Sequence, residues 1–127
     1  MIQNGSYLNV IDNSGAKKVY CIKVISGYKR RYAFVGDLIT VAVQKLRSKR
    51  RIFSKTKKGE IYKAIIVRIK KNKHFFSGDQ IRFFDNSVVL LNKQSKYLGT
   101  RVFGIVPRYL RFTKYLKVVS LSSGVVC

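Results

Sequence analysis

Tyr7-Leu8-Asn9-Val10-Ile11-Asp12-Asn13-Ser14-Gly15-Ala16-Lys17-Lys18-Val19-Tyr20-Cys21-Ile22-Lys23-Val24-Ile25 reads as strand, turn, strand. β-Branched and aromatic residues fill both arms, which suits a pleated, half-buried surface. Between them Asp, Asn, Ser and Gly supply side-chain acceptors for turn amides and a residue that tolerates positive φ. The arms are expected at Tyr7–Ile11 and Val19–Ile25, joined by Asp12-Asn13-Ser14-Gly15. Working outward, Leu38–Val43, Tyr62–Ile69, Gln80–Phe83 and Val88–Leu91 repeat the pattern, with Asp85-Asn86 expected to join the last two. Short strands of this number and spacing favour a small closed barrel, because an open edge of Val and Ile invites aggregation. After Gly104 the pattern changes. Val106, Leu110, Tyr115 and Leu116 are spaced as a helical face, with Pro107 near a first turn. The expected architecture is all-β: one domain over 1–127, a barrel over about 1–104, and a helical segment over about 105–127.

Charge dominates the composition. The 127 residues carry 27 Lys and Arg against five acids, a formal net charge of +22. Asp12, Asp37, Glu60, Asp79 and Asp85 all sit beside Gly or Asn where turns are expected, so the acids read as scaffold punctuation. Nearly every other ionisable group is a cation, and such a surface suits a polyanion. Hydrophobic residues make up 46% of the chain, so the charge rides on a folding domain and not on a disordered polycation.

The cations cluster in the loops. Lys45, Arg47, Lys49, Arg50, Arg51, Lys55, Lys57 and Lys58 place eight cations in fourteen residues between two strands. A hairpin with this much self-repulsion is expected to be mobile alone and ordered once phosphates neutralise it. A solvated basic loop without specific contacts is the plainer alternative. Tyr28-Lys29-Arg30-Arg31-Tyr32 sets three cations between two aromatics; Arg suits bidentate phosphate contacts, while Tyr32 reads equally as a stacking residue or a core residue. A third cluster runs from Arg68 through Lys70, Lys71 and Lys73 to His74, Phe75 and Phe76. Basic loops on several sides of a barrel point to a protein embedded in RNA, since a sequence reader concentrates its cations on one recognition element.

Catalytic constellations are missing. His74 is the only histidine and has no acid expected to orient it, and the carboxylates lie far apart in sequence. No phosphate-cradling glycine motif and no cysteine pair at metal-ligand spacing occurs, so no enzyme, cofactor or metal is expected. Cys21, alternating with apolar positions, reads as a buried core thiol. Two isolated cysteines suit a reducing compartment. The longest apolar runs, Ala64-Ile65-Ile66-Val67 and Val88-Val89-Leu90-Leu91, are too short for a membrane span. The first residues have the features of neither a secretory signal nor a transit peptide, so the chain is expected either to work where it is made or to have already lost a leader.

The spacing Ala64-Ile65-Ile66-Val67, Ser77-Gly78, Phe83, Asn86, Val89-Leu90 resembles the signature of the large-subunit ribosomal protein fourteen family. Leu8-Asn9-Val10, Asp12-Asn13-Ser14-Gly15-Ala16, Cys21-Ile22-Lys23-Val24, Arg30-Arg31-Tyr32-Ala33, Val35-Gly36-Asp37, Gly99-Thr100-Arg101-Val102-Phe103-Gly104 and Val119-Ser120-Leu121 extend the resemblance along essentially the whole chain. It implies a closed five-stranded β-barrel with a projecting hairpin and small C-terminal helices. It also implies binding of large-subunit rRNA and a bridge to small-subunit rRNA. With it, the candidate rRNA contacts are Lys17, Lys18, Lys29, Arg30, Arg31, Tyr32, Lys45, Arg47, Lys49, Arg50, Arg51, Lys55, Lys57, Lys58, Arg68, Lys70, Lys71 and Lys73. Implied protein partners are large-subunit proteins nineteen, or its local equivalent, and three, together with a ribosome silencing factor whose surface would map to Thr100, Arg101 and Lys117.

The chain departs from the bacterial pattern at Tyr109, where an acid is usual, and in its tail, Ser122-Ser123-Gly124-Val125-Val126-Cys127. Its 45–58 hairpin is also longer and more basic, which suggests added rRNA contacts. Abundant Lys, Ile, Phe and Tyr suit an AT-rich genome, and mitochondrial encoding is the expectation, with a bacterial cytoplasm or a plastid as the alternative. The competing function is an extraribosomal single-strand binder stacking bases on Tyr28, Tyr32, Phe75 and Phe76.

Overall fold

The computed structural model describes residues 1–47 and 54–126. Five strands close a barrel in the order β1 (Tyr7–Val10), β2 (Ala16–Val24), β3 (Leu38–Leu46), β4 (Ile61–Arg68) and then β7 (Ser87–Leu91), which returns to β1. Within the barrel every pairing is antiparallel except the β1–β7 seam, where Asn9 faces Ser87 and Val10 faces Val88 in parallel register. Alternation on β1 is strict: Leu8 and Val10 point into the core, Tyr7 and Asn9 out. Between the expected and observed strands only the ends moved, by up to three residues.

β2 breaks the alternation. Lys17 and Lys18 are consecutive yet both exposed, because the register with β3 slips on either side of Lys18. Such a bulge inserts a residue and re-aims the side chains around it. β4 and β7 are instead buried on both faces over Ala64–Val67 and Ser87–Leu91. β8 (Val102–Pro107) packs against β4 outside the barrel, held by the Phe103 amide donating to the Ile11 carbonyl at 2.7 Å and by an Asp12–Val102 bridge.

Asp85-Asn86 lies where β6 (Gln80–Ile81) is joined to β7, as expected, although the two strands do not pair: β6 pairs with β5 (Lys73–His74), and β7 belongs to the barrel. One expectation needs correction. The segment beyond Gly104 is not one helical face. Val106 and Pro107 end strand β8, a 3-10 turn spans Arg108–Phe112, helix α1 spans Leu116–Leu121, and β9 (Ser122–Val126) returns parallel to β8. Leu110, Val118 and Val119 are the buried positions there, while Leu116 is exposed. The short helix and the 3-10 turn pack into the same core as the barrel, and Arg108, Arg111, Lys114 and Lys117 all face solvent.

All five carboxylates do act as turn fasteners. Asp12 accepts from Ser14 N, Asp37 from Phe34 N at 2.7 Å, Glu60 from Lys57 N, Asp79 from Ser77 Oγ and Asp85 from Ser87 Oγ. Cys21 is fully buried, and burial pushes its thiol up. Among the described residues no helix is long and apolar enough to cross a membrane.

Candidate nucleic-acid interface

In the loop between β2 and β3, Arg30 is a brace. It bridges Asp37 at 2.8 Å, donates to the carbonyls of Ser26 and Tyr32, and lies over the Phe34 ring. Its fork is thus committed to holding the loop, whereas Lys29 and Arg31 face solvent. Tyr32 is 41% exposed and Tyr28 90%. Tyr32 is therefore outside the core, which removes one of its two readings.

The basic stretch after β3 is stitched to the barrel at its base. Arg47 N donates to the Gly15 carbonyl and Lys55 N to that of Ser14, both across the first turn. Gly15 has φ +100°, and a Cβ there would stand 2.4 Å from that of Ser54, so only glycine lets the returning chain pass this closely. Arg47 reaches the Val10 carbonyl at 3.1 Å and stacks over Phe103; Lys55 Nζ reaches the Leu98 carbonyl. Lys45, Lys57 and Lys58 are exposed. Lys49, Arg50 and Arg51, at the tip expected to project, lie outside the described residues.

Arg68 is largely covered. Its Nε is 3.7 Å from the Asp85 carboxylate, and Nη2 approaches the Phe103 carbonyl at 3.5 Å, so it ties β4 to β8. Lys73 is half-buried with Nζ 3.6 Å above the Tyr109 ring and 5.5 Å from that of Phe75, and burial lowers its pKa. Tyr109 thus serves as a cation–π platform for Lys73. Lys70 and Lys71 are exposed.

Thr100 and Arg101 share one loop fastened by Asn13, whose Oδ1 accepts both their amides and whose Nδ2 donates to Thr100 Oγ1 at 2.8 Å. Lys117 sits apart, over the Tyr97 ring at 5.7 Å. No hydrogen bond or ring contact links it to the other two.

One juxtaposition is absent from the sequence reading. Lys18 and Lys70 line one outer groove of about 260 Å³ together with Tyr7, Asn9, Phe84, Asp85 and Asn86. Tyr7 carried a signal, being an aromatic out of phase with the core positions of β1. Phe84 carried none beyond lying beside a turn.

Two ion pairs among the described residues leave most of the cations without an acidic partner. The sequence profile of the ribosomal protein L14p/L23e family matches residues 1–126. The chain belongs to that family. Membership makes it a large-subunit ribosomal protein and accounts for a small barrel whose surface is left so basic. Ribosomal proteins of this kind have rRNA and other ribosomal proteins as their partners, and enzymatic chemistry is not their general role.

Proposed function

We propose that this large-subunit ribosomal protein binds large-subunit rRNA through its loop cations and contributes to a bridge with small-subunit rRNA, performing no chemistry of its own. The observation carrying this reading is the imbalance at the surface: Lys17, Lys18, Lys29, Arg31, Lys45, Lys57, Lys58, Lys70 and Lys71 are exposed and lack an ion-pair partner among the described residues. Lysine and arginine release counterions from phosphates, which supplies affinity, while a rigid barrel fixes where each loop reaches. Arg30, Arg47, Arg68 and Lys73 act one step back, holding those loops in place.

The composition suits a mitochondrial ribosome. The exposed Thr100–Arg101 loop and Lys117 are the surface offered to a silencing factor, and large-subunit proteins such as nineteen and three are the neighbours this reading implies. Sedimentation of a mitochondrial lysate tests the core of the reading. The protein is expected to travel with large subunits at moderate salt and to be stripped at high salt. Recovery only in free fractions, or near-flat salt dependence of RNA binding by the purified protein, would favour the extraribosomal reading or none.

A further inference from the structure

We infer that the groove between Tyr7 and Phe84 is a seat for one unpaired RNA nucleotide, with its base against an aromatic face and its flanking phosphates on Lys18, Lys45 and Lys70. This rests on the rRNA-binding reading and names a contact within it.

Tyr7 is 66% exposed and Phe84 96%. Solvent-facing rings of this kind on a basic surface offer π-faces that every base can use. Tyr7 is not loose: it stands on β1, and the Tyr20 ring meets it edge-on at 5.4 Å. The groove floor is equally fixed. Asn9 is paired with Lys18 on β2, and its amide donates to the Asn86 carbonyl at 3.0 Å, while Asn86 Oδ1 accepts from Lys70 N at 2.9 Å. The Asn9 side chain and Asn86 Nδ2 have no hydrogen-bond partner among the described residues, so both can address a base edge or a ribose hydroxyl.

A second, independent observation calls for an anion. Lys18 and Lys45 are direct partners across β2 and β3, both exposed. Like charges facing each other across a sheet are destabilising unless something neutralises them. The one acid nearby does so only in part: Asp85 accepts from Ser87 Oγ and faces Arg68 Nε. Asp85 therefore offsets part of the charge there, and with Lys18 and Lys70 both lining the groove it remains net cationic.

The full-length protein tests this with two fluorescein-labelled probes, hexauridylate and an abasic ribose-phosphate strand of equal length, read by anisotropy at fixed salt. Wild type should prefer the first by about tenfold, as a single base–aromatic stack supports. Tyr7→Ala with Phe84→Ala should bring the ratio near one while leaving abasic binding unchanged; both side chains are exposed, and circular dichroism checks the fold. Lys18→Gln with Lys70→Gln should weaken both probes and flatten the salt slope by about 1.4, from ~0.7 per phosphate contact. Because the chain has no tryptophan, Phe84→Trp gives a reporter quenched by hexauridylate and not by the abasic strand. Equal binding of both probes by wild type, a preference surviving the double aromatic substitution, or equal competition by polyglutamate overturns the inference. Failure of the parent reading looks different: neither probe then binds in a salt-dependent way.

Discussion

Asp12 is wholly buried, and its two oxygens do different jobs. Oδ1 accepts from Ser14 N at 3.1 Å and Ser14 Oγ at 2.5 Å, shaping the first turn, while Oδ2 accepts from Leu90 N at 3.0 Å and ties that turn to β7. Burial pushes the carboxyl above its ordinary range, against the pull of the Ser14 and Leu90 donors and of the Arg47 charge. Asp12→Asn relieves the charge but puts an NH₂ group against one of the N–H donors. Urea denaturation should show a loss of about 1–3 kcal/mol, the cost of an unmet buried donor. Tyr62 makes the complementary case at high pH. Partial burial and its hydrogen bond to Glu60 push the phenol from 10.0 to about 12. The folded state favours the neutral phenol, so its contribution is complete below pH 10.0 and is lost as pH rises through about 12. Tyr62→Phe should remove that part of the alkaline loss, measured as the denaturation midpoint against pH.

At the level of elements, the Asp12–Gly15 turn proves to be a docking point as well as a hairpin turn. The chain returning from the basic loop lies on Gly15, so Gly15→Ala combines strain at positive φ with displacement of Ser54. Gly59 has φ +86° but nothing within 4 Å of an added Cβ. Gly59→Ala should therefore cost only the backbone term of about 1–3 kcal/mol, and Gly15→Ala distinctly more, by the same denaturation assay. This contrast marks what could be read from sequence. That both glycines belong to turns was legible, because turn chemistry is local; that one of them touches Ser54 was not, because the contact spans the fold. The barrel strands were legible for the same reason, as short β-branched and aromatic runs between turn residues. β8 and β9 were not: they are short and separated by two helices, and each becomes a strand only through its pairing with the other and, for β8, with Ile11. Among the site residues, the loop clusters announced themselves by charge density. The Tyr7–Phe84 groove did not, since it is assembled from β1, β2 and the bend before β7.

Taken as a whole, the molecule holds 27 basic side chains against five acids, and those acids are engaged in its own turns. Self-repulsion on this scale opposes compaction. The melting temperature of the isolated protein should accordingly climb from low to moderate salt, as the screening length falls from ~30 Å at 0.01 M to ~8 Å at 0.15 M. A flat or falling trend in calorimetry would mean that the cations are already compensated within the fold. The β1–β7 seam adds a constraint of another kind. Asn9 and its partner Ser87 are 78 residues apart (87 − 9 = 78). At synthesis rates of about 5–20 residues per second, the first strand waits roughly 4–16 s for the neighbour that closes the barrel. For that interval one edge of a strongly basic hairpin stands open, so the moment of greatest exposure falls during translation, before the finished chain has left the ribosome that made it.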